Sequence, residues 1–374
     1  MRISAVRKLA LALVGLALFA VVDVSLGRLR AARIARALEK SAPPAREYRV
    51  SHPYYHHDLA PSHATDSAFW GPIQYSLRTN TLGFRDADTR DIPRHATAYR
   101  ILLMGDSFTE GLGIDFQFTF AGLLATRYAP AGIEVLNGGV ASYSPAIYWK
   151  KIEYLLSHER LEVNAIVVFL DISDIHDEAL SYRLDSIGRV VDVPEPRPGL
   201  MSLLERDSLT YRAVAKAIRT VHPHPPLVGC TNAVIHETPC RAGWTLSHAL
   251  MERYGREGLR LADEHMTSLA ALLRARHVPL TIVVYPWPQQ IEWNDRASLQ
   301  ISYWTRWAQR EGAQFIDLFK PFFAEVDALG VRQAIRQYFI PDDYHWNARG
   351  HQLVAEHFAR GFATEPGDGP GIRR

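Results

Sequence analysis

Tyr99-Arg-Ile-Leu-Leu-Met-Gly-Asp-Ser-Phe-Thr-Glu-Gly-Leu112 is the stretch from which the fold can be read. Its apolar run, Ile101 to Met104, is long enough for one buried strand, and it breaks at Gly105-Asp106-Ser107 just before a helical pattern. A serine at the carboxyl end of such a strand lies at the mouth of an open α/β sheet, where ligands bind. Ser107 is thus a candidate nucleophile, and a serine needs a base to take its proton. A plain N-cap serine is the structural alternative.

Far downstream the chain reads Ile340-Pro-Asp-Asp-Tyr-His-Trp-Asn-Ala-Arg-Gly-His351. Asp342 and His345 stand three residues apart ahead of a last helical pattern. At that spacing a carboxylate can hold one ring nitrogen while the other faces Ser107. His351 is a rival base and Asp343 a rival carboxylate. His345 is preferred because Trp346-Asn347 then opens the helix and leaves the preceding turn at the sheet edge. The near-neutral titration of histidine suits a base that later acts as acid.

Four more apolar runs read as strands: Ile133–Leu136, Ile166–Leu170, Leu280–Tyr285 and Phe315–Leu318. Helical patterns separate them, and Leu259, Ala262, Met266, Leu269, Ala270 and Leu273 form one apolar stripe. Alternating strands and helices imply a parallel sheet covered on both faces.

Taken together, Gly105-Asp106-Ser107 near the start and Asp-x-x-His near the end resemble the SGNH/GDSL hydrolase family, over roughly Asn80 to Phe362. The resemblance implies a three-layer α/β/α sandwich, flavodoxin-like, on a parallel five-stranded sheet of order 2-1-3-4-5. It implies a catalytic set of Ser107, Asp342 and His345, its spacing favouring Asp342 over Asp343. The oxyanion donors it implies are the backbone N–H of Ser107, that of Ser142 in Asn137-Gly-Gly-Val-Ala-Ser142, and the side chain at Ser173. Two of these depart from the family. Ser142 stands where the family has glycine, and Ser173, in Asp171-Ile-Ser-Asp174, stands where it has asparagine. A hydroxyl can donate, but it is shorter and rotates freely, and losing one oxyanion donor costs on the order of 10²–10³ in rate. Asp174 is read as a loop anchor. Asn80-Thr-Leu-Gly-Phe-Arg-Asp86 resembles a segment that precedes the nucleophile block in membrane-linked relatives, and is read as packing that supports the site.

The helical insertion between strands 3 and 4, about residues 175–278, is unusually long. It contains a helical pattern over Leu203–Ile218, the Pro-rich stretch His222–Pro226, and both cysteines. It is read as extending over the mouth of the site, with a remote structural appendage as the alternative. Cys230 and Cys240 suit a small disulfide in an oxidising compartment. Trp287, in Tyr285-Pro-Trp-Pro-Gln289, could meet substrate or simply pack.

Ahead of the hydrolase-like domain, residues 99–363, lie two further regions. Arg2, Arg7 and Lys8 precede an apolar run from Leu9 to Leu26 that only Asp23 interrupts, which reads as a signal anchor or a cleaved signal peptide. An uncleaved anchor with its juxtamembrane helix is expected over residues 1–40. Arg28, Arg30, Arg33, Arg36 and Lys40 follow the run and argue for a cytoplasmic body. The cysteine pair argues for export, and the expectation is an inner-membrane anchor with the catalytic domain in the periplasm or outside. Residues 41–98, rich in Pro, His and aromatics, are expected to be irregular, and 364–374 a disordered tail. His52, His56, His57 and His63 cluster without a carboxylate or thiol at a recognised ligand spacing, so no metal is expected, and no cofactor. A net charge of +2 gives no reason to expect nucleic acid.

The function this implies is a serine-dependent hydrolase working through an acyl-serine intermediate, with an O-acyl ester on an envelope glycan or lipid as substrate. An O-acetyltransferase to a polysaccharide and a weakly active membrane-anchored glycan-binding protein are the alternatives.

Overall fold

The computed structural model describes residues 5–41, 48–194, 207–214, 230, 235 and 238–362. The chain forms two compact units. One comprises residues up to 45 together with 194–240, the other 46–193 together with 241 onward. Residues 46–98 therefore belong with the sheet, and the insertion is divided between the units. The Pro-rich stretch His222–Pro226, half of the Leu203–Ile218 pattern and the tail 364–374 lie outside the described residues.

The second unit is built on strands β1 (Arg49–His52), β2 (His56–Leu59), β3 (Ala64–Trp70), β4 (Ile73–Arg78), β5 (Tyr99–Met104), β6 (Ile133–Asn137), β7 (Ala165–Leu170), β8 (Tyr182–Leu184), β9 (Val190–Asp192), β10 (Leu280–Val284) and β11 (Gln314–Asp317). The central sheet runs β6-β5-β7-β10-β11, every pair parallel, which is the order 2-1-3-4-5. Its middle strands are buried end to end: β7 is Ala-Ile-Val-Val-Phe-Leu and β10 is Leu-Thr-Ile-Val-Val. Such continuous apolar runs are what a sheet covered on both faces requires. The Thr281 hydroxyl is accommodated by donating to Gln314 Oε1 at 3.1 Å.

Helices Pro145–Ser157, Arg256–Arg274 and Leu299–Glu311 pack together, as do Phe120–Tyr128 and Ala348–Gly361. The stripe Leu259, Ala262, Met266, Leu269, Ala270, Leu273 is the buried face of its helix. These helices cover the two faces and complete the α/β/α sandwich.

Residues 48–98, within the span 41–98, are not irregular as expected. They form two antiparallel hairpins, β1–β2 and β3–β4, followed by an extended segment. The inward side chains are aromatic or aliphatic: Tyr48, Tyr55, Ala68, Tyr75, Leu77 and Phe84 are buried. Polar and aromatic residues interleave there, which obscures the two-residue period in most of the stretch. The histidines join these aromatic contacts, His52 stacking on Tyr55 at 3.6 Å. Among the described residues no group of three or more His, Cys, Asp and Glu could hold a metal ion.

In the other unit one helix runs Ala5–Ser41, with Leu11–Arg33 long and apolar enough to cross a membrane at a mean hydropathy of 1.9. Leu11, Leu13, Leu16, Leu18, Phe19 and Val21 are all exposed. A helix apolar all round fits a lipid environment, and near the N-terminus it fits a signal anchor as well. Asp23, which interrupts the run, accepts hydrogen bonds from the Ser208 hydroxyl and from Thr210 N and Oγ1. Cys230 and Cys240 form the expected disulfide.

Candidate active site

Ser107 begins a single buried helical turn, Ser107–Glu110, at the end of β5. Asp106 caps it by accepting from Phe108 N at 3.0 Å. The turn is tight enough that a Cβ on Gly105 would stand 2.1 Å from Thr109 Oγ1, so only glycine fits there. Arg85, fully buried, closes the other end of the turn by donating to the carbonyls of Glu110, Gly111 and Ile114. The segment Asn80–Asp86 thus holds the nucleophile block from outside the sheet.

The turn Pro341–Tyr344 brings His345 to this point. His345 Nε2 lies 2.8 Å from Ser107 Oγ. Its ring is enclosed by Trp70, Phe108 and Tyr344, with centroids 4.9, 4.9 and 4.3 Å away. Trp346, buried against Phe108 and Tyr285 at 4.7 Å each, anchors the turn from below; truncating such a residue to Ala costs about 3–5 kcal/mol. Asn347 caps the last helix by accepting from Arg349 N and Gly350 N, so the helix opens where expected.

The carboxylate on His345 is Asp343, not the expected Asp342. Asp343 Oδ1 is 2.6 Å from His345 Nδ1 and also accepts from His345 N at 2.8 Å. A carboxylate two residues ahead can close both bonds at once. Asp342 adopts φ +60° at the tip of the turn, exposed to solvent. Asp343 Oδ2 accepts from Trp70 Nε1 at 2.8 Å. Burial acts to raise the Asp343 pKa, but the hydrogen bonds and charge of His345, joined by Trp70, outweigh it and hold the group below its ordinary value. His351 is remote from this chemistry. Its Nδ1 accepts from Phe120 N, and burial pushes its pKa down to about 3, which keeps it neutral.

The loop from Asn137 is pinned just ahead of Ser142. Gly138 N donates to Leu103 O, Val140 N to Gly105 O, and Ala141 N to Glu110 Oε2, while Ala141 O pairs with His57 Nε2 at 2.9 Å. Ser142 itself takes φ +67°, the left-handed region in which glycine is at ease. Ser173 sits buried after β7, its amide donating to Asp171 Oδ1 at 2.7 Å. Its hydroxyl accepts from Arg241 Nη2 at 2.9 Å, and the same nitrogen reaches Asp177 Oδ2 at 2.8 Å. Asp174 ties its loop together by accepting from Asp171 N and the Tyr148 hydroxyl. Asp106, Asp171 and Asp174 are all buried here. Desolvation first, then mutual repulsion for Asp106 and Asp174, raises their pKa values.

Of the two readings of Trp287, substrate contact or packing, the structure gives packing. It is 1% exposed, donates to Asp171 Oδ2 at 2.6 Å, and stacks on Tyr344 at 4.3 Å. The indole is consumed by holding two loops of the site together.

The arrangement offers a serine hydroxyl against an imidazole that a carboxylate aligns. That is the equipment for acyl transfer. Three contributors escape a reading of motifs alone. Trp70 comes from the end of β3, Arg85 from the extended segment and Arg241 from the insertion, and none stands at a telling distance in sequence from Ser107 or His345.

Several solved structures resemble the chain. The psychrotrophic esterase EstA from Pseudoalteromonas sp. has 11% identity and a TM-score of 0.38, over 70% of this chain and 95% of its own. AlinE4, an SGNH-hydrolase family esterase, has 14% identity and a TM-score of 0.34, over 71% and 95%. A two-domain esterase active on acetylated mannans has 14% identity and a TM-score of 0.34, over 70% and 48%. No curated protein matches the sequence. Residues 103–353, from the end of β5 into the last helix, match the GDSL-like lipase/acylhydrolase family, and the chain belongs to that family of esterase-type hydrolases.

Proposed function

We propose that the protein hydrolyses an O-acyl ester through an acyl-enzyme on Ser107. The observation that carries this reading is the contact of His345 Nε2 with Ser107 Oγ at 2.8 Å, with Asp343 on the opposite ring nitrogen at 2.6 Å. Ser107 Oγ attacks the acyl carbon as its proton passes to His345 Nε2, and Asp343 steadies the imidazolium. The amides of Ser107 and Ser142 and the hydroxyl of Ser173 receive the charge on the carbonyl oxygen. His345 returns the proton to the leaving alcohol. A water molecule, deprotonated by the same imidazole, then releases the acid and restores the serine.

The substrate class proposed is an acyl ester on an envelope glycan or lipid. The apolar helix Leu11–Arg33 supports a membrane-anchored enzyme, and the disulfide supports a body in an oxidising compartment, the periplasm or outside. The test is labelling of the purified full chain with a fluorophosphonate, beside Ser107→Ala and His345→Ala. Wild-type labelling lost in both variants is expected; no labelling of the wild type overturns the reading. Release of acetate from an O-acetylated glycan, with and without an acceptor sugar, then separates hydrolysis from transfer.

A further inference from the structure

The Ser173 hydroxyl is a short donor, and alone it would be a poor one. Its surroundings correct this. Arginine is a donor only, so the 2.9 Å contact from Arg241 Nη2 fixes Ser173 Oγ as acceptor on that side and directs its own hydrogen elsewhere. The hydroxyl also lies against the Asp171 carboxyl, whose pKa it works to lower against burial. Arg241 is held in turn by Asp177, and its guanidinium carbon lies 6.0 Å from the Trp287 ring centre. Its Nε is buried and bonded to nothing among the described residues. The guanidinium interacts electrostatically with Asp106 and Tyr344, the neighbours of Ser107 and His345. A side chain longer than serine at position 173 would run into the place that Arg241 Nη2 fills.

We infer that Arg241 and Ser173 act as one oxyanion-stabilising unit, in which the guanidinium of the insertion fixes the serine hydroxyl and sets a positive charge behind it. This rests on Ser107 being the nucleophile. Arg241 is a positioning residue that works through Ser173: as the oxyanion forms, the hydroxyl turns from Asp171 to the new charge while remaining bonded to Arg241. Charge-assisted hydrogen bonds are about twice as strong as neutral ones, so a short hydroxyl backed by arginine can stand in for a longer neutral donor.

The experiment measures the saturating rate and half-saturating concentration of fluorophosphonate labelling on the full chain. Ser173→Ala and Arg241→Met should each lower the saturating rate by about 10²-fold and leave the half-saturating concentration within about threefold. The two changes combined should be no worse than Ser173→Ala alone, since both remove one unit. Ser173→Asn with Arg241→Met should recover to within about tenfold of wild type, because an amide needs no orienting partner and fills the vacated space. If Arg241→Met fails to fold around the buried Asp177, Arg241→Met/Asp177→Asn replaces it. An unchanged rate in Ser173→Ala or in a folded Arg241 variant overturns the inference, as does full additivity. An unlabelled wild type, or labelling that survives Ser107→Ala, overturns the reading of the nucleophile instead.

Discussion

The indole of Trp70 donates to the same carboxylate that orients His345, bridging to Asp343 across 273 residues of sequence. The hairpin β3–β4 is therefore part of the site and not a decoration on it. A hydrogen bond to a charged group contributes about 1.5–3 kcal/mol, and a tenfold rate change corresponds to about 1.4 kcal/mol. Trp70→Phe keeps the ring against His345 and removes only the donor. It should lower kcat on a simple acetyl ester by about tenfold. Steady-state rates, with a thermal melt as control, check this.

Asp343 and Asp342 differ in role though adjacent. Asp343→Asn leaves the turn in place but presents an amide to the imidazole, and in serine triads such a change costs on the order of 10⁴ in kcat. Asp342→Asn, at an exposed position whose left-handed backbone asparagine accepts, should stay within about threefold of wild type. Equal losses in the two would refute the assignment of the orienting carboxylate.

Ser142 holds a positive φ and contributes only its backbone N–H to the proposed chemistry. Ser142→Gly should raise stability by about 0.5–1 kcal/mol by relieving the left-handed strain and leave kcat close to wild type. Ser142→Pro, which removes the donor and forbids that φ, should lose on the order of 10²–10³ in kcat. Urea melts and rates on the two variants decide it.

His351 gives the fold an acid sensitivity. Its ordinary pKa of 6.5 is lowered to about 3, chiefly by burial and then by the charges of Arg85 and His345. Below 6.5 the unfolded chain binds a proton that the folded chain refuses, so stability falls as pH drops toward 3 and is not affected by this group above neutrality. His57, lowered to about 4 by burial, acts with the same sign. His351→Gln keeps an acceptor for Phe120 N and removes the titration. Its urea midpoint should fall less steeply between pH 6.5 and 4, a difference of a few kcal/mol, about 1.4 per pKa unit. Parallel slopes in variant and wild type would contradict this.

The central sheet was legible because its middle strands are buried on both faces and read as apolar runs. Ser107 was legible because it follows such a strand, and His345 because it precedes the last helix. The orienting carboxylate was not, because spacing cannot tell which of two neighbouring aspartates a tight turn will expose; the φ of Asp342 decides that. Trp287 illustrates a different limit. A tryptophan at the rim of a sheet reads as available to ligand, yet its N–H found a buried carboxylate. The hairpins were hidden by composition, although Ile73-Gln-Tyr-Ser-Leu-Arg78 does alternate inward and outward. Arg241 lies in a long insertion whose sequence gives no sign of which residue returns to the sheet.

Trimming the protein to the span that resembles its family would begin at residue 103 and discard Trp70 and Arg85. Such a fragment would keep every residue of the reacting group and lose the struts beneath two of them. Its Ser107 turn would have three carbonyls without their arginine, and its Asp343 would face water where an indole had been. Recognisable ancestry and mechanical completeness have different borders in this molecule, and enzyme preparations should respect the wider one.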